Sequence, residues 1–186
     1  MKLSMFIQKA FTKIATAHRK AYFRAITKCP HKDFEIYGKM TLINPNVKVG
    51  KNVAFYPDVM LFGDGPIVIG DNVDIGNGTI IYSSKKDGGV YIGDNTVIAT
   101  QCYIIDMDHG IQGGELIRNQ KNIVAPIHIG EDVWIASGAK ILKGSNIRNG
   151  AVIGAQSVVK GEIEENAIAV GIPAKVKKYR EFKNVK

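Results

Sequence analysis

Hydrophobic residues recur at every sixth position along much of this chain. The clearest run is Ile129, Ile135, Ile141, Ile147 and Ile153, with Val159 closing the series. The same spacing joins Ile43, Val49, Phe55 and Leu61, then Ile69, Ile75 and Ile81, then Ile92, Ile98 and Ile104. A second column runs four residues after the first: Val47, Val53, Val59, Val73, Thr79, Thr96, Cys102, Val133, Ala139, Ser145, Ala151 and Ser157. These are small or β-branched. Gly, Asn and Asp crowd the positions between and supply turn dihedrals. A helix repeats its face every 3.6 residues and a strand every 2, so a period of six counts a larger unit. That unit is a short strand ending in a tight turn. Three such units close one rung, and stacked rungs, about 4.8 Å apart, form a parallel β-helix. A sandwich or barrel of short strands would alternate with period 2 and turn every ~8–12 residues. A beat of six held through five steps rules against it.

The beat slips after Leu61, after Ile81 and most of all after Ile104. The first slip falls in "VMLFGDGP", residues 59–66, where two extra residues predict a small loop. Residues 2–28 read instead as one amphipathic helix, ended by Pro30. Its stripe is Leu3, Phe6, Ile7, Ala10, Phe11, Ile14, Ala17, Ala21, Tyr22, Ala25 and Ile26, with Lys2, Lys9, Lys13, Arg19, Lys20 and Lys28 largely beside or opposite. The expected role is a cap over the open end of the β-helix, ahead of peripheral contact with a membrane.

Composition narrows the reading without redirecting it. A chain of 186 residues, 45% hydrophobic and 23% charged, suits one globular domain with an appended element. No apolar run reaches membrane-spanning length. Basic residues interrupt the N-terminal apolar stretch, so a signal peptide is not expected and a cytoplasmic location is, with the inner membrane face as the peripheral alternative. Cys29 and Cys102 make no disulfide framework, and Cys102 falls in the small inward column, where packing is its expected role. The net charge of +8 is concentrated at the two ends, residues 2–32 and 174–186. It admits nucleic acid, an anionic surface or a phosphate-bearing ligand. With no zinc-finger spacing or RNA-binding aromatic motif, nucleic acid ranks last.

The hexad columns, "PIHIGEDVWIASGAKILKG" and the closing "IAVGIPAKVKK" together resemble the hexapeptide-repeat acyltransferases, left-handed β-helix proteins. Within them the chain is most similar to the sugar O-acetyltransferases related to galactoside and xenobiotic acetyltransferases. The resemblance covers roughly residues 40–178. It implies an all-β fold: a left-handed parallel β-helix at 40–173 with a catalytic loop at 105–127, a helical segment at 1–39 and a basic tail at 174–186 ending in a short C-terminal helix. Left-handedness, an exception to the usual crossover rule, comes from the resemblance alone.

Chemistry is expected where the period breaks. The segment "IDMDHGIQGGELIRNQKNIVAP", residues 105–126, has no six-residue column, and a loop this long leaving a rigid coil is more often functional than idle. It carries His109 between Asp106 and Asp108, with Glu115 beyond. Acetyl transfer to a hydroxyl needs a base of near-neutral pKa, which histidine supplies. The resemblance places the family's general base at His109. Asp106 or Asp108 would orient its ring or touch the acceptor sugar, and Glu115 is a weaker acceptor contact. The resemblance also assigns the backbone N–H of Ser137 to the oxyanion, although Ala136 stands where glycine is commoner. Trp134, at an outward position, would line the acceptor or coenzyme groove of a neighbouring subunit, or pack a trimer interface. Ser137, Gly138, Ala139, Gly154 and Ala155 would border acetyl-CoA, with Lys160, Lys175 and Lys178 near its phosphates. The implied partners are a carbohydrate acceptor, in surface polysaccharide or lipopolysaccharide synthesis, and two further copies forming a homotrimer with sites between subunits.

Three alternatives stay open. One is N-acetylation of an amino sugar. Another is a non-catalytic trimeric scaffold. The third, a zinc hydratase, needs three converging histidines. Only His18, His31, His109 and His128 exist, in no metal-binding spacing, so no metal is expected.

Overall fold

The structure, a computed structural model, describes residues 2–85 and 87–181, and of residues 2–7, 9 and 10 the backbone alone. The chain winds through three parallel sheets that form the faces of a β-solenoid. The first face begins at Phe34–Ile36 and its last parallel strand is Ala167–Val170. The second runs from Met40–Leu42 to Val158–Val159, and the third from Val47–Val49 to Glu162–Ile163. Every rung lays its inward residue on the one below. Phe55, Ile75, Ile98, Ile135 and Ile153 stack on the first face, Leu61, Ile81, Ile104, Ile141 and Val159 on the second. These side chains and the whole second column are buried, Thr79, Thr96, Ser145 and Ser157 included. The hydroxyls of three of those are spent on backbone carbonyls: Thr79 Oγ1 donates to Ala99 O (2.9 Å), Thr96 Oγ1 to Gly130 O (2.9 Å) and Ser145 Oγ to Leu142 O (2.6 Å).

Two edges of the coil keep the period without exception. From the first face to the second the inward residues step by six, as from Ile75 to Ile81 and Ile135 to Ile141. From the third face to the first they also step by six, as from Ile69 to Ile75 and Ile129 to Ile135. The reason lies in the turns. At the third-to-first edge Asn52, Asn72, Asn95 and Asp132 take positive φ of 53°, 56°, 58° and 53°, a conformation short Asn and Asp side chains tolerate. Asn52 Nδ2 donates to Asn72 Oδ1 (3.0 Å) and Asn72 Nδ2 to Asn95 Oδ1 (3.1 Å), so the turns are tied rung to rung.

The remaining edge, second face to third, absorbs every slip. Its steps run from Leu42 to Val49, Leu61 to Ile69, Ile81 to Ile92 and Ile104 to Ile129, before Ile141 to Ile147 restores six and Val159 to Ile163 shortens to four. The first of these corrects a sequence expectation. Leu42 is buried and Ile43 is 69% exposed, because this step is seven residues rather than six.

The ends depart further. The first paired strand is Phe34–Ile36, ahead of the expected start at residue 40. At the other end the expected helix after Val176 is a strand, Lys175–Tyr179, antiparallel to Ala167–Val170. The last coil leaves backbone donors and acceptors open, and the returning chain pairs with them. Arg180 secures it through Asp132 Oδ2 (2.7 Å) and Gly150 O (3.0 Å). Residues 182–186 of the expected tail lie outside the described residues.

At the N-terminal end the helix Lys2–Thr27 covers the first coil through Phe23, fully buried, whose ring lies 5.0 Å from Phe34 and 5.4 Å from Phe55. Ile26 packs beside it. The helix caps the coil, but of its predicted stripe only Ile26 among the described side chains packs on the core. Phe11, Ile14 and Tyr22 are 69%, 68% and 51% exposed, and Ala17, Ala21 and Ala25 are exposed too. Leu3, Phe6, Ile7 and Ala10 of that stripe, with Lys2 and Lys9, have side chains outside the described residues. No helix among the described residues is long and apolar enough to cross a membrane.

Candidate active site

The irregular edge builds the candidate site. Its longest excursion leaves the second face after Tyr103–Ile105 and rejoins the third at Ile127–Ile129. The loop is ordered by its own pairing: Met107–Asp108 lies antiparallel to Ile123–Val124. At its far end Gln120 clasps Gln112, Oε1 accepting from Gln112 N and Nε2 donating to Gln112 O, both at 2.8 Å.

Asp106 fixes the root of this loop. Its carboxylate is fully buried and accepts from Ser84 N (2.8 Å), Gly89 N (2.8 Å) and Ser83 Oγ (3.1 Å), all on the turn one coil earlier. A Cβ on Gly88 would come within 2.1 Å of Asp106 Oδ2, so the turn closes only around glycine. Asp106 therefore staples two loops together. Its oxygens face that turn, where these three donors meet them. Asp108 is exposed and meets Lys143 Nζ at 3.5 Å. Among the described residues neither carboxylate hydrogen-bonds the His109 ring.

His109 is exposed, directly beyond the Met107–Asp108 strand. It stands at the lip of a cavity of about 530 Å³ lined by Phe62, Tyr82, Tyr103, Ile105, Met107 and Asp108. The aromatic wall comes from three successive rungs of the second face. Phe62 and Tyr82 are neighbours in register, with ring centroids 4.7 Å apart in an edge-on arrangement. Burial first, and Tyr82 second, push the Tyr103 hydroxyl above a phenol's usual range. Sequence reasoning missed this wall. Its signal was present: Phe62 and Tyr82 follow the inward Leu61 and Ile81, and Tyr103 precedes Ile104, all at outward positions where a solvated face would carry polar residues. Glu115 lies apart, further along the loop, where its carbonyl accepts from Gln120 Nε2 at 3.0 Å.

The other predicted residues occupy different places. Ser137 sits at the regular edge between first and second faces, its hydroxyl donating to Thr100 O (3.0 Å). No acceptor among the described residues takes its N–H. Gly154 and Ala155 lie one rung on, half-buried and exposed. Gly138 is buried beneath the Gln156 side chain, whose Nε2 would meet an added Cβ at 2.2 Å, and Ala139 points wholly into the core. These two offer a coenzyme backbone at most. Lys160, Lys175 and Lys178 are all exposed, Lys160 past the last second-face strand and the other two on the terminal strand of the first face. Trp134 is 52% exposed on the first face, over Val97 and Val152. Within one chain, then, His109 and Ser137 stand on different edges, with the second face between them.

The remaining histidines do not join the site. His18 is in the helix, His31 accepts from Asp33 N (3.3 Å) and lies 3.0 Å from Val49 O, and His128 stacks on Tyr91 across the third face at 5.0 Å. Cys102 is buried against Ala136 O (3.3 Å), and burial pushes its thiol up, as expected of a packing residue.

A solenoid of hexads with one histidine-bearing loop places the chain among hexapeptide-repeat proteins, and comparison with known proteins agrees. Residues 126–161 match the family described as bacterial transferase hexapeptide (six repeats). The Escherichia coli (strain K12) protein WbbJ, named for lipopolysaccharide biosynthesis O-acetyl transfer, is 37% identical over 127 residues, 63% of each chain. WcaF of the same organism, named for acetyl transfer in colanic acid biosynthesis, is 30% identical over 129 residues, 69% of this chain and 67% of that protein. A solved maltose O-acetyltransferase from Clostridium difficile 630 superposes with a TM-score of 0.62 at 26% identity, covering 88% of this chain and 75% of that one. The chain belongs to the hexapeptide-repeat transferase family. It spans 63% of the length of WbbJ and only 39% of another curated relative.

Proposed function

We propose that this chain is an acetyl-CoA-dependent O-acetyltransferase acting on a sugar hydroxyl in the synthesis of a bacterial surface polysaccharide or lipopolysaccharide. The observation that carries the reading is His109, exposed at the lip of an aromatic-walled cavity, on a chain whose relatives are named for sugar and polysaccharide acetylation. The cavity volume suits a small ligand. Phe62 and Tyr82 offer a sugar ring an apolar wall, and Tyr103 offers its oxygens a donor. Asp108, held by Lys143, borders the same space.

Acetyl-CoA supplies the thioester carbonyl. His109 accepts the proton of the acceptor hydroxyl as its oxygen bonds to the carbonyl carbon, and returns that proton to the sulfur when the C–S bond breaks. The Ser137 N–H donates to the oxyanion formed between these events. Since His109 and Ser137 lie on different edges of one chain, the site is completed between copies, and a homotrimer with one site at each contact is the assembly we infer. Ala155, Gly154 and the exposed Lys175 and Lys178 border the path of the coenzyme, with Lys160 toward the loop edge.

The test is release of free CoA thiol from acetyl-CoA over a panel of sugars and glycans, with sedimentation to count subunits. Acceptor-dependent release that falls at least about 10²-fold in His109→Ala, at unchanged melting temperature, supports the reading. Undiminished release in that variant overturns the base assignment. An amino-sugar acceptor that outperforms every hydroxyl would make it an N-acetyltransferase. If no acceptor works and acetyl-CoA does not bind, the chain is a scaffold.

A further inference from the structure

The N-terminal helix turns most of its apolar stripe away from the coil. Phe23 makes the contact with Phe34 and Phe55 and Ile26 packs against the core beside it, while Phe11, Ile14, Ala17 and Ala21 lie on the roughly opposite side, facing solvent. Phe11 and Ile14 are 69% and 68% exposed, and such a stripe on a helix already docked by its other side wants a partner.

Charge says which. No Asp or Glu occurs before Asp33. Exposed Lys13 and half-buried Arg24 flank the stripe on one side and Arg19 on the other, with exposed Lys28 just past the helix. The groove where the helix meets the second face adds His18 and Lys39 against a single acid, Asp58. A second copy of this helix would bring like charges together. A surface with a negative headgroup layer above an apolar interior complements both the stripe and its flanks.

We propose that the helix Lys2–Thr27 docks in its own plane on an anionic lipid bilayer, with Phe11 and Ile14 inserted among the acyl chains and the flanking cations at the headgroups. The coil then hangs from the membrane by its first rung. This does not depend on acetyl transfer and is tested without it.

The full chain would be sedimented with vesicles of phosphatidylglycerol and phosphatidylethanolamine, and separately of phosphatidylcholine alone. We expect binding to the first and not the second, weakened by added salt. The doubly substituted F11D/I14D protein should bind at least roughly 10-fold less, with an unchanged β-sheet circular dichroism spectrum. K13E should bind less, without altering the fold. Absence of binding to the anionic vesicles, or equal binding to both kinds, overturns the proposal. So does an F11D/I14D protein that binds vesicles normally but sediments as a smaller assembly, which would give the stripe to a second copy.

Discussion

Two kinds of edge run along this solenoid, and they answer to different demands. At the first-to-second and third-to-first edges each step is six residues, and the turns are bound to the rungs above and below. At the second-to-third edge the step grows from Leu42–Val49 to Ile104–Ile129, then falls to six at Ile141–Ile147 and four at Val159–Ile163. The regular edges hold the stack in register. The irregular one gathers loops, the Asp106 staple and His109 on one line parallel to the axis. A rigid repeat can carry variation at one edge because each loop begins and ends on neighbouring faces of the same coil, so its length does not disturb the rungs above or below.

The sharpest break of this contrast is a single alanine inserted between Glu131 and Asp132, on a regular edge. It would turn Val133 and Ile135 outward and Trp134 inward, and we expect no soluble protein with a cooperative melt. Next is Ile141→Ala, which empties part of a fully buried column and should cost about 2–5 kcal/mol in urea denaturation. Asp106→Ala leaves Ser83, Ser84 and Gly89 donors buried without their acceptor; about 1–3 kcal/mol by the same measurement would match the staple. Asn72→Ala keeps the left-handed turn without the side chain that suits it and should cost about 1 kcal/mol. The smallest effect belongs to an alanine inserted between Gly113 and Gly114 in the loop, below about 0.6 kcal/mol. An inversion of the first and last results would mean that the edges are not distinguished by length tolerance.

Most of the coil was legible because its signal is repeated. The inward Ile and Val columns are where the spacing puts them, and Cys102 packs as its column implies. Ile43 was misread because a seven-residue step hides among steps of six, and only strand pairing reveals that Leu42 is the inward residue. The C-terminal strand and the outward helix stripe were not readable, since each depends on which unfilled surface lies nearby rather than on local pattern. At the site, the loop and His109 stood out as a break in period. Asp106 could not be told from Asp108 in "IDMDHG": one is sealed under the Ser83–Gly89 turn and the other ion-pairs with Lys143, a distinction set by residues distant in sequence. The aromatic wall escaped because Phe62, Tyr82 and Tyr103 lie on separate rungs and meet only when the coils stack.

Stacking also makes the solenoid a ruler. Positions along the axis are available only at intervals of about 4.8 Å, one per rung, and groups that must face one ligand can be shifted by a whole interval or not at all. Phe62, Tyr82 and Tyr103 occupy three consecutive graduations on one face. Finer adjustment falls to the irregular edge, where the loop carries His109 off the scale and can set it between two marks.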